Sequence, residues 1–318
     1  MRGLLGRSRS LDRELVHVLM KSVYTLSDLR DWKAATRDCT PPLRLAVIGD
    51  PVAHSKSPQM HNPALVAAGI DAAYTRLHIL PGEVEECLRL LPGAGFIGIN
   101  CTIPHKASVL AAVDAPDETA IRAGGVNTVT VQPDGTTVGT STDGGGFSEA
   151  VRESFGVSLK DLRILVLGAG GGAGRAVAMR CASEQCAALT LVNRTLSKLP
   201  PLAAEMMAFF PVERLALVGD TDIEGSIQHA DLIVNCTAVG MKADDVSPVS
   251  AALLSSRQLV YDTIYVGHRT PLLRAADEAG ARGANGLPML LHQGALAFSK
   301  WFSRSAPIEA MRAGLQAR

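Results

Sequence analysis

Aromatic side chains are scarce in this sequence, where they account for 4% of 318 residues. Single-strand nucleic-acid binders stack bases on aromatic surfaces, so this scarcity argues against that class of protein. Neither charge is in excess, because 31 basic side chains balance 31 acidic ones. A chain without net charge has no general attraction for nucleic acid or for an anionic membrane. No apolar run is long enough to span a bilayer. We therefore expect neither nucleic acid nor a membrane as a partner.

The cysteines and histidines lack the spacings that metal sites use. No Cys-x-x-Cys pair and no His-x-x-x-His pair occurs, so we expect no bound metal. Most of the cysteines lie in apolar runs, which predicts small buried thiols in a reducing compartment and hence a cytoplasmic protein. The six are Cys39, Cys87, Cys101, Cys181, Cys186 and Cys236.

Two strand and helix patterns divide the chain. In the first half, apolar runs predict strands at 43–48, 74–79 and 96–100, and Pro133–Asp134–Gly135 marks a hairpin. Ser57 and Pro58 open a helix between the first two strands, with the serine as N-cap. This half therefore predicts a small α/β domain.

In the second half, five apolar runs alternate with helical segments. The runs lie at 163–167, 188–192, 215–218, 232–234 and 259–261. Short connections between alternating strands and helices predict a parallel, doubly wound sheet. The chain turns helical again near residue 287. The predicted fold is α/β, with an N-terminal α/β domain followed by a Rossmann-type domain.

A glycine-rich loop follows the first strand of the second half and opens a helix. Gly168, Ala169, Gly170, Gly171, Gly172 and Ala173 form it. Their spacing fits the dinucleotide fingerprint in its alanine form, in which backbone amides approach a pyrophosphate at a helix N-terminus. The alternative is a glycine-rich turn that binds nothing, which the strand–loop–helix context disfavours.

The end of the next strand indicates which dinucleotide is bound. An NAD site usually has a carboxylate there for the ribose 2′-hydroxyl. This chain instead has Asn193, Arg194 and Thr195, with Lys198 one turn later. Two cations and a hydroxyl suit a 2′-phosphate, so we predict NADP. Thr195 could also be a helix N-cap beside a solvated arginine, and the two interpretations are compatible.

Polar clusters in the first half predict a site for a small hydroxy acid. Ser55 and Ser57 could both bond one carboxylate, although Ser57 could also be only a helix cap. Lys106 and Asp143 could move a proton at a carbinol while a hydride leaves for a nicotinamide. Taken alone, Lys106 could be solvated and Asp143 could be a turn residue. Asn127, which follows two glycines, could contact a hydroxyl or form an ordinary turn.

The sequence resembles the shikimate dehydrogenase family from about residue 43 to the C-terminus. The motifs that carry the resemblance are His54–Pro58, Asn100-x-Thr102-x-Pro104-x-Lys106, Gly125–Thr128, Ser141–Gly144, the glycine loop, Asn193–Thr195, Asn235–Ala238-x-Gly240–Met241 and Gln293. The resemblance implies reversible, NADP-dependent reduction of 3-dehydroshikimate to shikimate, a step in aromatic amino acid biosynthesis. It also implies a monomer or homodimer.

The resemblance assigns roles at matching positions. Lys106 and Asp143 would be catalytic, and the remaining substrate contacts would come from Ser55, Ser57, Asn100, Thr102, Asn127, Tyr265 and Gln293. Thr237 and Met289 would join the glycine loop, Asn193, Arg194, Thr195 and Lys198 around the cofactor. Three features depart from the family pattern: Ser141 replaces a usual asparagine, the glycine loop is one residue longer, and Lys198 replaces a frequent arginine.

The sequence also predicts where the domains begin and end, and it leaves two alternative functions open. Residues 1–42 would be an extension, 43–142 the substrate-binding domain completed by 287–318, and 143–286 the NADP-binding domain. Arginines within the first 13 residues resemble a transit peptide, but Asp12 and Glu14 favour a dispensable extension or an upstream start codon. A quinate/shikimate dehydrogenase would act on a substrate with one more hydroxyl. A non-catalytic sensor would be expected to lack Lys106 or Asp143, and both are present.

Overall fold

The computed structural model describes residues 21–220, 223–242 and 244–317. The expectations for residues 1–20 therefore lie outside the described part of the chain. Within it, two sheets lie in succession along the sequence, each covered by helices. The α/β fold class predicted from the sequence is confirmed.

The first sheet has seven strands in the order β1-β3-β2-β4-β6-β7-β5. Neighbours are parallel from β1 to β4, whereas β4, β6 and β7 pair antiparallel and β5 lies parallel to β7. The strands are β1 (Tyr24–Thr25), β2 (Leu43–Gly49), β3 (Ala73–His78), β4 (Gly98–Cys101), β5 (Ala115–Pro116), β6 (Thr128–Val131) and β7 (Thr137–Thr140). The helices among them are α1 (Leu26–Arg30), α2 (Trp32–Ala35), α3 (Ser57–Ala67), α4 (Val84–Leu90), α5 (Lys106–Ala112) and α6 (Glu118–Ala123).

The boundary expected at residue 43 is wrong for the described part of the extension. Strand β1 pairs with β3 at the edge of the first sheet. Leu26, Leu29 and Trp32 are buried in the same apolar core as β2 and α4. Sequence patterns missed this segment because a two-residue strand and two helices of five and four residues are too short to show a period.

The second sheet has six parallel strands in the order β10-β9-β8-β11-β12-β13. This is the doubly wound Rossmann order, in which the direction of winding reverses beside the first strand of the unit. The strands are β8 (Arg163–Leu167), β9 (Ala188–Val192), β10 (Leu215–Val218), β11 (Leu232–Asn235), β12 (Leu259–Asp262) and β13 (Arg282–Ala284). The helices are α7 (Asp143–Phe155), α8 (Gly172–Ser183), α9 (Leu199–Met206), α10 (Glu224–His229) and α11 (Pro271–Glu278), with short 3₁₀ helices at Leu196–Lys198, Val212–Arg214 and Ala251–Leu253.

The chain then returns to the first sheet through α12 (Leu287–Phe302) and α13 (Ile308–Gln316). The Trp301 indole donates a hydrogen bond to the Val129 carbonyl, 2.9 Å away. Gly98 makes room for that ring, because a Cβ there would lie 2.3 Å from the indole nitrogen. The C-terminal helices therefore cover one face of the first sheet. None of the helices in the described part of the chain is both long and apolar enough to cross a bilayer.

His61 lies on the first-sheet side of α3 and is fully buried. Its ring stacks on Tyr74 with 4.6 Å between centroids and meets the Trp301 ring at 5.2 Å. Neither ring nitrogen has a hydrogen-bond partner among the described residues. Burial lowers the pKa of His61 to about 3.

Acid should therefore destabilise the protein through His61. The unfolded imidazole titrates near 6.5, whereas the folded one has a pKa of about 3. Between these values the unfolded chain binds a proton that the folded chain excludes, so stability falls as the pH drops below about 6.5. We expect a loss of about 1.4 kcal/mol between pH 7.5 and pH 5.5. Urea unfolding at the two pH values measures it.

His61→Leu is the matched control, because leucine fills a similar volume and cannot take up a proton. The variant should lose less unfolding free energy over the same pH interval, by the amount that His61 contributes. Equal losses in the two proteins would show that other groups cause the pH dependence.

Candidate active site

Lys106 and Asp143 form an ion pair where the two domains meet. Lys106 begins α5 shortly after β4, and Asp143 begins α7, the helix that leads into the second sheet. The Lys106 Nζ lies 2.6 Å from Asp143 Oδ2. The side chains are 21% and 10% exposed, so each charge has lost most of its water. Removing either partner would leave a largely buried charge without compensation.

Asn127 ties this ion pair to the surrounding helices. Its amide nitrogen donates to Asp143 Oδ1 at 2.8 Å, to Thr142 Oγ1 at 2.9 Å and to Gln293 Oε1 at 3.2 Å. Its amide oxygen accepts from the Thr142 backbone N–H at 2.8 Å. We call these four residues the Asn127 network. Asn127 is therefore not an ordinary turn residue, because its amide nitrogen and its amide oxygen both form hydrogen bonds with other residues.

Three successive glycines allow α7 to approach its neighbours closely enough for this network to form. A Cβ at Gly146 would lie 2.6 Å from the Gln293 backbone nitrogen, and one at Gly144 would lie 2.9 Å from the Ala176 carbonyl oxygen. A larger residue at Gly146 would push α12, which carries Gln293, away from α7. Ser141 makes no side-chain bond to Asp143, and its backbone N–H donates to Thr119 instead. The departure from the family pattern at Ser141 therefore leaves the anchoring of Asp143 intact.

The Asn100 side chain has only acceptor capacity left for a ligand. Its amide nitrogen donates to the Asn127 carbonyl at 3.2 Å and to Thr128 Oγ1 at 3.1 Å, which uses both N–H groups. Its Oδ1 accepts from the Tyr74 hydroxyl at 2.7 Å and keeps one lone pair free. Burial raises the pKa of Tyr74 well above its usual range, so the phenol remains a donor. Tyr74 and Thr128 were not predicted from the sequence, and only their positions on β3 and β6 could have indicated them.

Ser55 and Ser57 lie in the segment 54–58, which we call the serine loop. The helix begins at Ser57 itself, and the residue before it is Lys56. The expectation that Ser57 is the N-cap of α3 is therefore wrong, and the N-cap residue Lys56 makes no side-chain capping bond. The Ser55 hydroxyl instead donates to Ser57 Oγ at 3.1 Å. Two hydroxyls this close can bond the two oxygens of one carboxylate.

The other three predicted substrate residues lie in three different settings. Gln293 joins the Asn127 network and also donates to the Leu290 carbonyl at 2.8 Å. Burial raises the pKa of Tyr265, and the negative charge of Asp143 adds to the shift, so this phenol lies within electrostatic range of the ion pair. Thr102 lies in the loop between β4 and α5, and its hydroxyl has no hydrogen-bond partner within the described ranges.

The glycine loop has the geometry of a phosphate cradle. Gly168 has φ of +78°, and a Cβ there would lie 2.8 Å from the Thr237 methyl. A Cβ at Gly174 would lie 2.1 Å from the Gly168 carbonyl oxygen, so only glycine lets α8 start this close to the end of β8. No side chain caps α8, which leaves its first backbone N–H groups open for an anion.

The residues after β9 are positioned beside this cradle. Asn193 Oδ1 accepts from the Gly170 N–H at 3.2 Å, and its amide nitrogen donates to the Thr195 carbonyl at 2.9 Å. Lys198 Cβ would lie 3.0 Å from a Cβ at Gly170. Arg194 is exposed and has no partner in the described part of the chain. Thr195 makes no side-chain capping bond. Thr195 thus occupies the N-cap position of the 3₁₀ helix without a capping bond, and the phosphate contacts of Arg194 and Lys198 remain a prediction.

Thr237 and Met289 complete the predicted cofactor residues. Thr237 Oγ1 donates to Asn235 Oδ1 at 2.7 Å, which holds its methyl against Gly168. Met289 is buried in the core of the second domain, and its backbone N–H donates to the Tyr261 hydroxyl at 3.1 Å. Among the described residues, no group of three His, Cys, Asp or Glu side chains could hold a metal ion.

Comparison with known proteins matches both halves of the chain. The model of the shikimate dehydrogenase substrate-binding domain matches residues 47–129, that of shikimate/quinate 5-dehydrogenase matches 149–260, and that of the shikimate 5′-dehydrogenase C-terminal domain matches 286–316. The shikimate dehydrogenase (NADP⁺) of Symbiobacterium thermophilum is 41% identical over 84% of this chain and 92% of its own length.

Solved structures agree with this relationship. Shikimate 5-dehydrogenase from Thermus thermophilus, in complex with NADP(H) and shikimate, is 36% identical with a TM-score of 0.75, and the match covers 86% of this chain and 98% of that one. Quinate dehydrogenase from Corynebacterium glutamicum, in complex with NAD, is 29% identical with a TM-score of 0.76 over the same shares. The chain belongs to the shikimate dehydrogenase family.

Proposed function

We propose that this protein catalyses the reversible, NADP-dependent reduction of 3-dehydroshikimate to shikimate. The observation that carries the proposal is the 2.6 Å ion pair between Lys106 and Asp143, held by Asn127 where the two domains meet. NADPH-dependent reduction of a ketone needs a proton donor at the carbonyl oxygen, and a positioned ammonium supplies one. The reaction would serve aromatic amino acid biosynthesis. Free cysteines in the described chain suit a cytoplasmic location.

Different residues bind the substrate and transfer the proton. The serine loop binds the substrate carboxylate, and the free lone pair of Asn100 Oδ1 accepts from a ring hydroxyl. When bound, NADPH supplies the hydride to the carbonyl carbon. Lys106 gives its Nζ proton to the carbonyl oxygen, and Asp143 keeps the ammonium in place through its other contacts. In the oxidative direction Lys106 takes the hydroxyl proton back.

The cofactor residues fit the same proposal. The open amides at the N-terminus of α8 would hold the pyrophosphate. Asn193 orients the turn, and Arg194, Thr195 and Lys198 would surround the 2′-phosphate. No carboxylate follows β9, so nothing there repels that phosphate. Quinate is the second candidate substrate, because the match to a quinate dehydrogenase covers as much of the chain.

Replacing Lys106 by alanine should abolish most turnover and leave the KM for shikimate close to normal. The ammonium acts mainly in the transition state, where general acid–base help contributes about 10²–10⁴-fold. Initial rates of NADPH formation with shikimate, and then with quinate, measure the effect. Lys33→Ala, which removes an exposed lysine on α2, is the matched control. A Lys106→Ala variant with nearly normal kcat would remove Lys106 from the mechanism.

The double variant Ser55→Ala and Ser57→Ala should raise the KM for shikimate far more than the KM for NADP. Each lost hydrogen bond to a charged carboxylate should cost about 1.5–3 kcal/mol. Steady-state kinetics with each ligand varied in turn provides the comparison. If both KM values rise equally, the serines support the fold and do not bind the substrate.

The protein should prefer NADP to NAD, with Arg194 as the main cause. A guanidinium can make paired hydrogen bonds to a phosphate, whereas NAD offers only a hydroxyl at that position. Arg194→Ala should weaken NADP by about 1.5–3 kcal/mol and NAD much less. Lys198→Ala should have a smaller effect, since lysine is a flexible point charge. A wild type that already prefers NAD, or equal weakening of both cofactors, would contradict this assignment.

A further inference from the structure

Arg76 lies directly beneath the serine loop. It follows Tyr74 by two residues on β3, so both side chains leave the same face of the sheet near the carboxyl end of the strand. Arg76 Nε and Nη2 donate to the Ser55 carbonyl oxygen at 3.1 and 2.6 Å. Nη2 also donates to Gln59 Oε1 at 2.9 Å. The guanidinium thus connects β3 to both ends of the segment that carries the two serine hydroxyls.

The charge of Arg76 has no acidic partner within the described residues. No Asp or Glu oxygen lies within ion-pair distance of it, and the nearby Asp50 pairs with His78 at 2.8 Å. The side chain is half-buried, and burial lowers the pKa of Arg76, yet an arginine remains cationic in proteins. The amino group Nη1 makes no hydrogen bond to the described chain. A partly desolvated cation without a counter-ion favours binding of an anion beside it.

The catalytic cation of the substrate-binding region is already matched. Lys106 pairs with Asp143, so it is not available to a carboxylate at the serine loop. Ser55 and Ser57 are neutral, and a hydroxyl can bond a carboxylate, an ester or an amide. The serines alone therefore cannot explain why the loop would select an anion. The loop contains one cation of its own, Lys56, and Arg76 is the cation that hydrogen-bonds to the Ser55 carbonyl from β3.

Resting on the proposed function, we infer that Arg76 is the specificity determinant for the carboxylate of the substrate. It acts through the Ser55 carbonyl, which it holds in place, and through its positive charge, which lowers the free energy of an anion at the serine hydroxyls. It is a positioning residue, because the proton and the hydride are handled elsewhere. The ligand class it selects is a small carboxylate, in preference to the corresponding neutral ester.

Arg76→Gln removes the charge and should raise the KM for shikimate about tenfold, the size of one partly screened charge–charge attraction. The kcat should stay within about twofold, because the substitution leaves proton transfer untouched. The KM for shikimate methyl ester should change much less. In wild type the KM for shikimate should rise between 20 and 500 mM NaCl, and in the variant this rise should be smaller.

Arg76→Lys separates charge from structural support. Lysine cannot make the forked contact to Ser55, but it keeps the positive charge. Because the charge is what attracts the carboxylate, Arg76→Lys should restore most of the shikimate affinity. If Arg76→Lys is as impaired as Arg76→Gln, or if acid and ester lose affinity equally, Arg76 only braces the loop and the inference is wrong. Lys56→Gln removes another positive charge from the same loop, without a bond to Ser55. An equal KM rise in Lys56→Gln would also overturn it.

The test remains valid even if Arg76→Gln is less stable than the wild type. An unchanged KM for NADP confirms that each variant keeps its cofactor site, and Arg76→Lys provides a second test if Arg76→Gln is unstable. A wild type that does not oxidise shikimate would contradict the proposed function, whereas an active wild type with an unaffected Arg76→Gln variant would contradict only this inference.

Discussion

The amide of Asn127 is the contact on which the arrangement of the site depends. It joins the start of β6 to the first turn of α7, 16 residues later, and to the middle of α12, 166 residues later. Asp143 is thereby held at the point where the chain passes from one domain to the next. Because a buried polar group without a partner costs free energy, the amide favours the arrangement in which the start of α7, with Thr142 and Asp143, stays beside the start of β6.

That arrangement brings together the carboxyl ends of strands from both sheets. Lys106 follows β4 in the first sheet, and the glycine loop follows β8 in the second. In doubly wound sheets, ligands bind outside the carboxyl ends of the strands where the winding reverses, which is between β8 and β11 here. In the proposed function, a cofactor on the glycine loop and a substrate on the serine loop would therefore approach each other from the two sheets.

Much of this could be predicted from the sequence, for reasons that are local. The strand before Gly168 and the helix after it are regular, and glycine spacing depends only on nearby backbone sterics. Ser55, Ser57, Lys106 and Asp143 were singled out by residue type and by a family resemblance. Tyr74, Arg76 and Thr128 were not, because each acts through a partner that only strand pairing brings near. The short elements 24–35 were missed since they show no period.

The Asn127 network also explains why Gln293, rather than Asn127, is suited to exchange partners with a substrate. The Asn127 amide has two N–H groups and faces three acceptors, so at least one contact is shared. The bonds to Thr142 and Asp143 are 2.9 and 2.8 Å, whereas that to Gln293 is 3.2 Å. The longest bond is the weakest, and its acceptor is neutral, unlike the Asp143 carboxylate. A substrate hydroxyl that donates to Gln293 Oε1 would leave Asn127 with two acceptors for its two N–H groups. The position of Asp143 would then be kept while the substrate is bound.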